Sequence, residues 1–124
     1  MLPEAASRLS RRLRGSLLTV VCLILAGCAP SAATSSAPVA TTQVDLPPSY
    51  VFAPTTIQVN RGATVTWTNH DNFTHSVQVQ GQPDVHMLRP GEQTQVRFDQ
   101  PGTYPYVCTL HTQNMRGTVV VAGA

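Results

Sequence analysis

The chain contains no lysine; its eight basic residues are all arginines, and four of these, Arg8, Arg11, Arg12 and Arg14, fall near the start. Beyond that segment the arginines stand singly, so the electrostatic footprint of a nucleic-acid-binding protein is missing. No apolar run is long enough to cross a bilayer: Leu17 to Ala26 is ten residues, where a spanning helix needs about 20. After that run no segment longer than a turn carries a helical period, which excludes a helix bundle. The four histidines offer material for one metal cluster and no second, which argues against a redox enzyme with several metal centres. At 124 residues there is room for a single domain.

The basic start, the short apolar run and Leu25-Ala-Gly-Cys28 have the layout of an export signal, and the last four residues resemble the recognition box of bacterial lipoproteins. Residues 1–27 are therefore expected to be a lipoprotein signal peptide, with Cys28 freed as an acylated N-terminus. The protein would then be exported and lipid-anchored at the periplasmic or extracytoplasmic face of the cell membrane. Ser10-Arg11-Arg12 also has the feature of a twin-arginine signal, although Arg14-Gly15 does not continue it. Once the signal is subtracted, Arg61, Arg89, Arg97 and Arg116 face Asp45, Asp71, Asp84, Glu92 and Asp99, one net negative charge. The apparent basicity belongs to the signal.

Residues 28–42 are uncharged and rich in Ala, Ser, Thr and Pro. Such a composition cannot bury enough surface to offset chain entropy, so a disordered tether is expected, with a root-mean-square reach of roughly 20 Å. From residue 43 to 124 short alternating runs follow one another. The pattern predicts strands near Gln43–Leu46, Thr55–Val59, Ala63–Asn69, His75–Gln80, Gln93–Phe98, Gly102–Cys108 and Gly117–Ala122. Asn60-Arg-Gly62, Arg89-Pro-Gly91 and Gln100-Pro-Gly102 are the turns. Seven or eight short strands imply an all-β, antiparallel Greek-key β-sandwich. Its predicted core is Ile57, Val59, Val65, Trp67, Val77, Val79, Val96, Phe98, Tyr104, Tyr106, Val119 and Val121.

The chemistry gathers between Tyr104 and Gly117, where Cys108, His111 and Met115 fall within eight residues at the point where an alternating strand gives out. Thiolate, imidazole and thioether are ligands that select copper, and one Cys, two His and a weak axial Met form an electron-transfer arrangement. His75 is the candidate second histidine: it opens a run in which residues of its own parity, Val77 and Val79, are apolar and face the core. Cys108 shares the inward parity of Tyr104 and Tyr106. It is the one thiol left after Cys22 and Cys28 are assigned to the signal and the lipid, and a lone thiol in an oxidising compartment needs a reason to persist. Metal ligation is one reason, and inert burial is the other. Zinc competes for Cys and His, but its structural sites do not use a thioether.

With these residues in view the chain from Val44 onward resembles the cupredoxins, the small blue copper proteins, of the plastocyanin and amicyanin type. The resemblance rests on Phe52-Ala-Pro54, Val65-Thr-Trp67-Thr-Asn69, Asp71, His75-Ser-Val77, Arg89-Pro-Gly91, Phe98-Asp-Gln-Pro-Gly102-Thr-Tyr104-Pro-Tyr106-Val-Cys108, His111, Met115 and Gly117-Thr-Val-Val-Val121. It implies one type 1 copper held by His75, Cys108, His111 and Met115. It also implies no enzyme activity, and a monomer that takes electrons from one redox protein and gives them to another, both docking near His111. The alternative is an extracytoplasmic copper chaperone or storage protein.

Three departures from the family pattern touch the site. Ser76 stands where the family has Asn, Leu110 replaces Pro, and the His111–Met115 spacing lies between those of amicyanin and plastocyanin. Leu110 keeps a backbone N–H that Pro would lack; if that N–H points at the Cys108 sulfur, it stabilises thiolate charge and raises the reduction potential. Asn69 either ties the His75 segment to the Cys108 loop or simply forms a turn. His70 reads as a solvated turn residue, with peripheral copper contact as the minority alternative. His86-Met87 offers a thin case for a second copper(I) site, and surface placement is the stronger reading.

Overall fold

A computed structural model describes Gly27 and residues 36–123. The expected signal peptide apart from Gly27, the acylated Cys28 and the first part of the expected tether lie outside the described residues.

Alternation sets the fold. In Ala63–Asn69 the residues Val65, Trp67 and Asn69 are buried, and in His75–Val79 so are His75, Val77 and Val79, the inward set that a period of two requires. Nine strands result among the described residues: β1 Val39–Ala40, β2 Gln43–Leu46, β3 Thr56–Asn60, β4 Ala63–Asn69, β5 His75–Val79, β6 Val85–Leu88, β7 Gln93–Phe98, β8 Gly102–Val107 and β9 Arg116–Ala122. Six of them form one sheet in the order β1-β3-β9-β8-β5-β6, and β2-β4-β7 form the other.

The all-β, two-sheet expectation is borne out, with two additions and one correction. Strand β6 falls where a loop was expected around His86 and Met87; it pairs antiparallel to β5 and buries Leu88. Strand β1 lies within the stretch that composition assigned to a tether, and its two residues pair with Ile57 and Gln58 of β3. Uncharged Val and Ala can join a sheet edge as soon as one is offered, which composition alone does not reveal. The sheets are also mixed, not purely antiparallel: β1–β3, β2–β4 and β3–β9 run parallel.

Between the sheets lies an aromatic core. The Tyr106 ring packs edge-on against Phe52 at 4.8 Å and Trp67 at 5.2 Å, and Trp67 reaches Phe98 at 6.5 Å. Burial pushes the Tyr106 hydroxyl well above the ordinary tyrosine value. Every predicted core residue is buried except Tyr104, which is half-buried; Val44, Leu46, Phe52, Leu88, Cys108 and Met115 complete the set. Strands β5 and β8 pair only over Gln78↔Val107 and Val79↔Tyr106. This short register brings the start of β5 and the end of β8 to the same rim of the sandwich. There β8 ends and the chain loops back into β9, whose Arg116 is opposite Val107.

Candidate metal centre

His75 opens β5, Cys108 follows β8, and His111 sits on the loop between β8 and β9. Their ligand atoms lie within 4.8 Å of one another. His75 and Cys108 are buried while His111 is half-buried. Cys108 is a free thiol, and its Sγ stands 3.6 Å from His111 Nδ1. The structure thus brings together three of the four predicted ligands as a cluster. The fourth, Met115, is fully buried and its backbone is pinned on both sides: it accepts from the Cys108 N–H at 3.0 Å and donates to the His111 carbonyl at 3.0 Å.

His75 Nε2 donates to Asp71 Oδ2 at 2.8 Å, and the carboxylate is itself buried. An acceptor at Nε2 fixes the hydrogen there and leaves the lone pair on Nδ1. The His75 N–H beside Asp71 holds its carboxyl below the ordinary value, and the Asn72 N–H at 2.6 Å adds to this against the opposing effect of burial. Nδ1 itself is buried with no hydrogen-bond partner among the described residues. A buried lone pair without a donor is costly, and a cation in the cluster would satisfy it. Replacing Asp71 with alanine is expected to lower copper affinity by about 10- to 100-fold, read by competition with a chelator, while the circular dichroism of the fold stays unchanged.

The sulfur is approached by Ser76. Its N–H donates to Cys108 Sγ at 3.4 Å, its hydroxyl lies 3.8 Å from the same atom, and that hydroxyl accepts from the Thr109 N–H at 2.8 Å. Thr109 Oγ1 closes the link at 2.7 Å. Two sequence expectations change here. The Leu110 N–H is not among the groups that reach the sulfur; its side chain is exposed, and the N–H directed at the sulfur comes from Ser76 because β5 runs beside the end of β8. Nor does Asn69 tie the His75 segment to the Cys108 loop. Its Nδ2 donates to Phe73 and Leu88 carbonyls at 2.8 and 2.9 Å, and its Oδ1 accepts from the Asp71 N–H at 2.9 Å. Asn69 therefore shapes the loop that presents Asp71, and Ser76 is the bridge between the two ligand segments.

His70 and His86 stay outside the cluster. His70 Nε2 meets Asp45 at 3.1 Å with both side chains mostly exposed, and His86 Nδ1 bonds the Thr94 hydroxyl at 3.0 Å. Three residues near the site carried no assigned role at the sequence level: Asp71, Thr109 and Tyr50. Only Asp71 had a readable signal, a carboxylate four positions ahead of a ligand histidine. The Tyr50 ring lies against both imidazoles, 4.7 Å from His111 and 5.7 Å from His75.

The donors fit copper. A thiolate and two imidazoles with a buried thioether in the same loop match the blue-copper set, and the thioether has no place in a structural zinc site. The comparisons agree. The sequence profile of the cupredoxin-like domain matches residues 16–121. Amicyanin-alpha of Methylorubrum extorquens is 36% identical over 95 residues, covering 72% of this chain and 78% of the relative. Plastocyanin of Scenedesmus fuscus is 33% identical over 85 residues, covering 57% of this chain and 86% of the relative. Among solved structures, a purple cupredoxin from Nitrosopumilus maritimus superimposes with a TM-score of 0.60 at 28% identity, over 64% of this chain and 98% of that one. An amicyanin variant in its reduced state gives 0.59 at 29% identity, over 69% and 83%. Profile, relatives and donor set converge, and the chain belongs to the cupredoxin family, whose cofactor is one type 1 copper.

Proposed function

We propose that this protein is a one-electron carrier, in which His75, Cys108 and His111 would hold copper strongly and Met115 would be its weaker ligand. The reading is carried by the cluster of three donors within 4.8 Å, two of them held from behind by Asp71 and Ser76. Copper, when bound, supplies the change between its +1 and +2 states. The chain's residues supply a fixed donor set that suits both states, so little has to move when an electron passes.

His111 provides the exit. It is half-buried, and around it Leu110, Phe73 and Tyr50 are exposed at 51%, 58% and 37%. All three are uncharged, so docking of a donor or acceptor protein rests on apolar contact and depends weakly on salt. The lipid at Cys28 would hold the carrier at the extracytoplasmic face of the membrane and confine its encounters to proteins exposed there.

Titrating the protein with copper(II) and then reducing it tests the reading. An intense visible band that bleaches on reduction and returns on oxidation is expected. A colourless complex that binds copper(I) tightly and does not cycle would move the assignment to copper storage or delivery.

A further inference from the structure

The two imidazoles are held in different ways. His75 has Asp71 behind it at 2.8 Å. Among the described residues His111 has no such partner: its one side-chain contact of hydrogen-bond type there is with the Cys108 sulfur, itself a ligand, at 3.6 Å. Its backbone is set by the turn, with its N–H on the Cys108 carbonyl at 3.2 Å and its carbonyl accepting from Met115 at 3.0 Å. That fixes the Cα and leaves the ring orientation open.

Tyr50 occupies the open side. Its ring meets His111 at 4.7 Å and 69°, and His75 at 5.7 Å and 86°, while the two imidazoles are 5.2 Å apart. The three rings therefore touch pairwise. Phe73 stacks on Tyr50 at 6.0 Å and 24°, so Tyr50 is itself buttressed. Edge-to-face pairs of this kind are favourable beyond their area burial and resist rotation of either ring.

The backbone of Tyr50 gives an independent reason to look for a role. Its φ is 55°, the one positive value at a non-glycine position among the described residues. For a bulky L-residue this conformation is strained, because Cβ crowds the backbone carbonyl. Glycine would avoid the cost. The surrounding loop imposes it: Asp45 and Ala53 exchange two backbone bonds of 2.8 Å across the loop base, the Ser49 N–H bonds Pro47 at 2.7 Å, and Leu46 and Phe52 are buried on either side. A strained aromatic placed against two ligand rings is the pattern expected of a residue retained for the site.

We infer that Tyr50 is the positioning residue for His111, an aromatic wall that holds the imidazole in one orientation whichever oxidation state the copper is in. The inference rests on the copper-carrier reading for its purpose, and on ring geometry alone for its mechanism. The Tyr50 hydroxyl makes no hydrogen bond among the described residues, so the ring is what acts.

Three variants of the protein test it: Tyr50→Phe, Tyr50→Gly and Tyr50→Ala. In the metal-free protein, nuclear magnetic resonance of the His111 ring should give ring-current-shifted signals and a single χ1 rotamer for wild type and Tyr50→Phe, and averaged signals for Tyr50→Gly and Tyr50→Ala. In the copper(II) form, Tyr50→Gly should bind about tenfold more weakly or worse, with changed visible and electron-paramagnetic spectra, while Tyr50→Phe matches wild type. Tyr50→Gly should also melt higher than Tyr50→Ala, because glycine accepts the positive φ. The assignment is overturned if the His111 ring stays in one rotamer in Tyr50→Gly, or if Tyr50→Phe frees it. Should wild-type protein fail to bind copper, the carrier reading falls, and the metal-free ring measurement still decides the role of Tyr50.

Discussion

Cys108→Ser is expected to abolish the intense visible band of the copper-loaded protein outright, and to weaken copper binding by more than the roughly 100-fold upper range for loss of a supporting residue. The band requires a thiolate bonded to copper, and Cys108 is the one cysteine in the described domain. Serine keeps the volume nearly unchanged, and its hydroxyl is neither soft nor ionised at neutral pH. The packing around the position is therefore preserved while the bond is lost, and far-ultraviolet circular dichroism should match wild type. The Ser76 N–H that now lies 3.4 Å from the sulfur would find an oxygen in its place, so no buried donor is orphaned. An intense band that survives in Cys108→Ser would mean that the sulfur is not a ligand. His75→Ala would leave Asp71 buried without its imidazole partner, which mixes a folding cost into the result, so Cys108→Ser is the cleaner experiment.

Much of this could be read in the chain, and the parts that could not share a cause. Strands β2, β4 and β7 were legible to the residue because each is bounded by turn chemistry and keeps strict alternation. The ligands were legible because Cys108, His111 and Met115 are scarce residue types crowded into one loop, and because the parity of His75 pointed it inward. Strand β6 was not, since its outward residues Val85 and Met87 are apolar like its buried Leu88, so no polar–apolar alternation marks it, and it becomes a strand through pairing with β5. Strand β1, two residues long, exists through the edge of β3. The supports of the site follow the same rule. Leu110 was given a contact from its position beside His111 in sequence, yet the sulfur's donor proved to be Ser76, brought there by the register between β5 and β8. Tyr50 was invisible because its meeting with His111 depends on how a distant loop closes. What a residue is was written locally; what it touches came from the pairing of strands.

Gly117→Ala is expected to destabilise the fold by about 3 kcal/mol, the upper part of the range for overpacking a core, which for a domain of this size corresponds to a melting temperature lower by roughly 12–24 °C. Gly117 lies in β9 opposite Tyr106, and a Cβ there would fall within the Tyr106 ring, 2.6 Å from Cε2 and closer still to Cζ and the hydroxyl. The ring cannot withdraw. Phe52 and Trp67 hold it edge-on at 4.8 and 5.2 Å, and it is 2% exposed. Relief must come from β9 moving away from β8, and that motion pulls on Met115 and on its bond to the Cys108 N–H. The copper spectrum of any folded Gly117→Ala protein should therefore shift together with its stability. A double-mutant cycle isolates the cause. In a Tyr106→Leu background, where the ring is gone, adding Gly117→Ala should cost less than about 1 kcal/mol, within the range of tolerated repacking. Equal costs in the two backgrounds would mean that the glycine is needed for some reason other than the ring. Since the chain turns from the metal loop into β9 at this residue, the small side chain lets the aromatic core and the copper site share one strand.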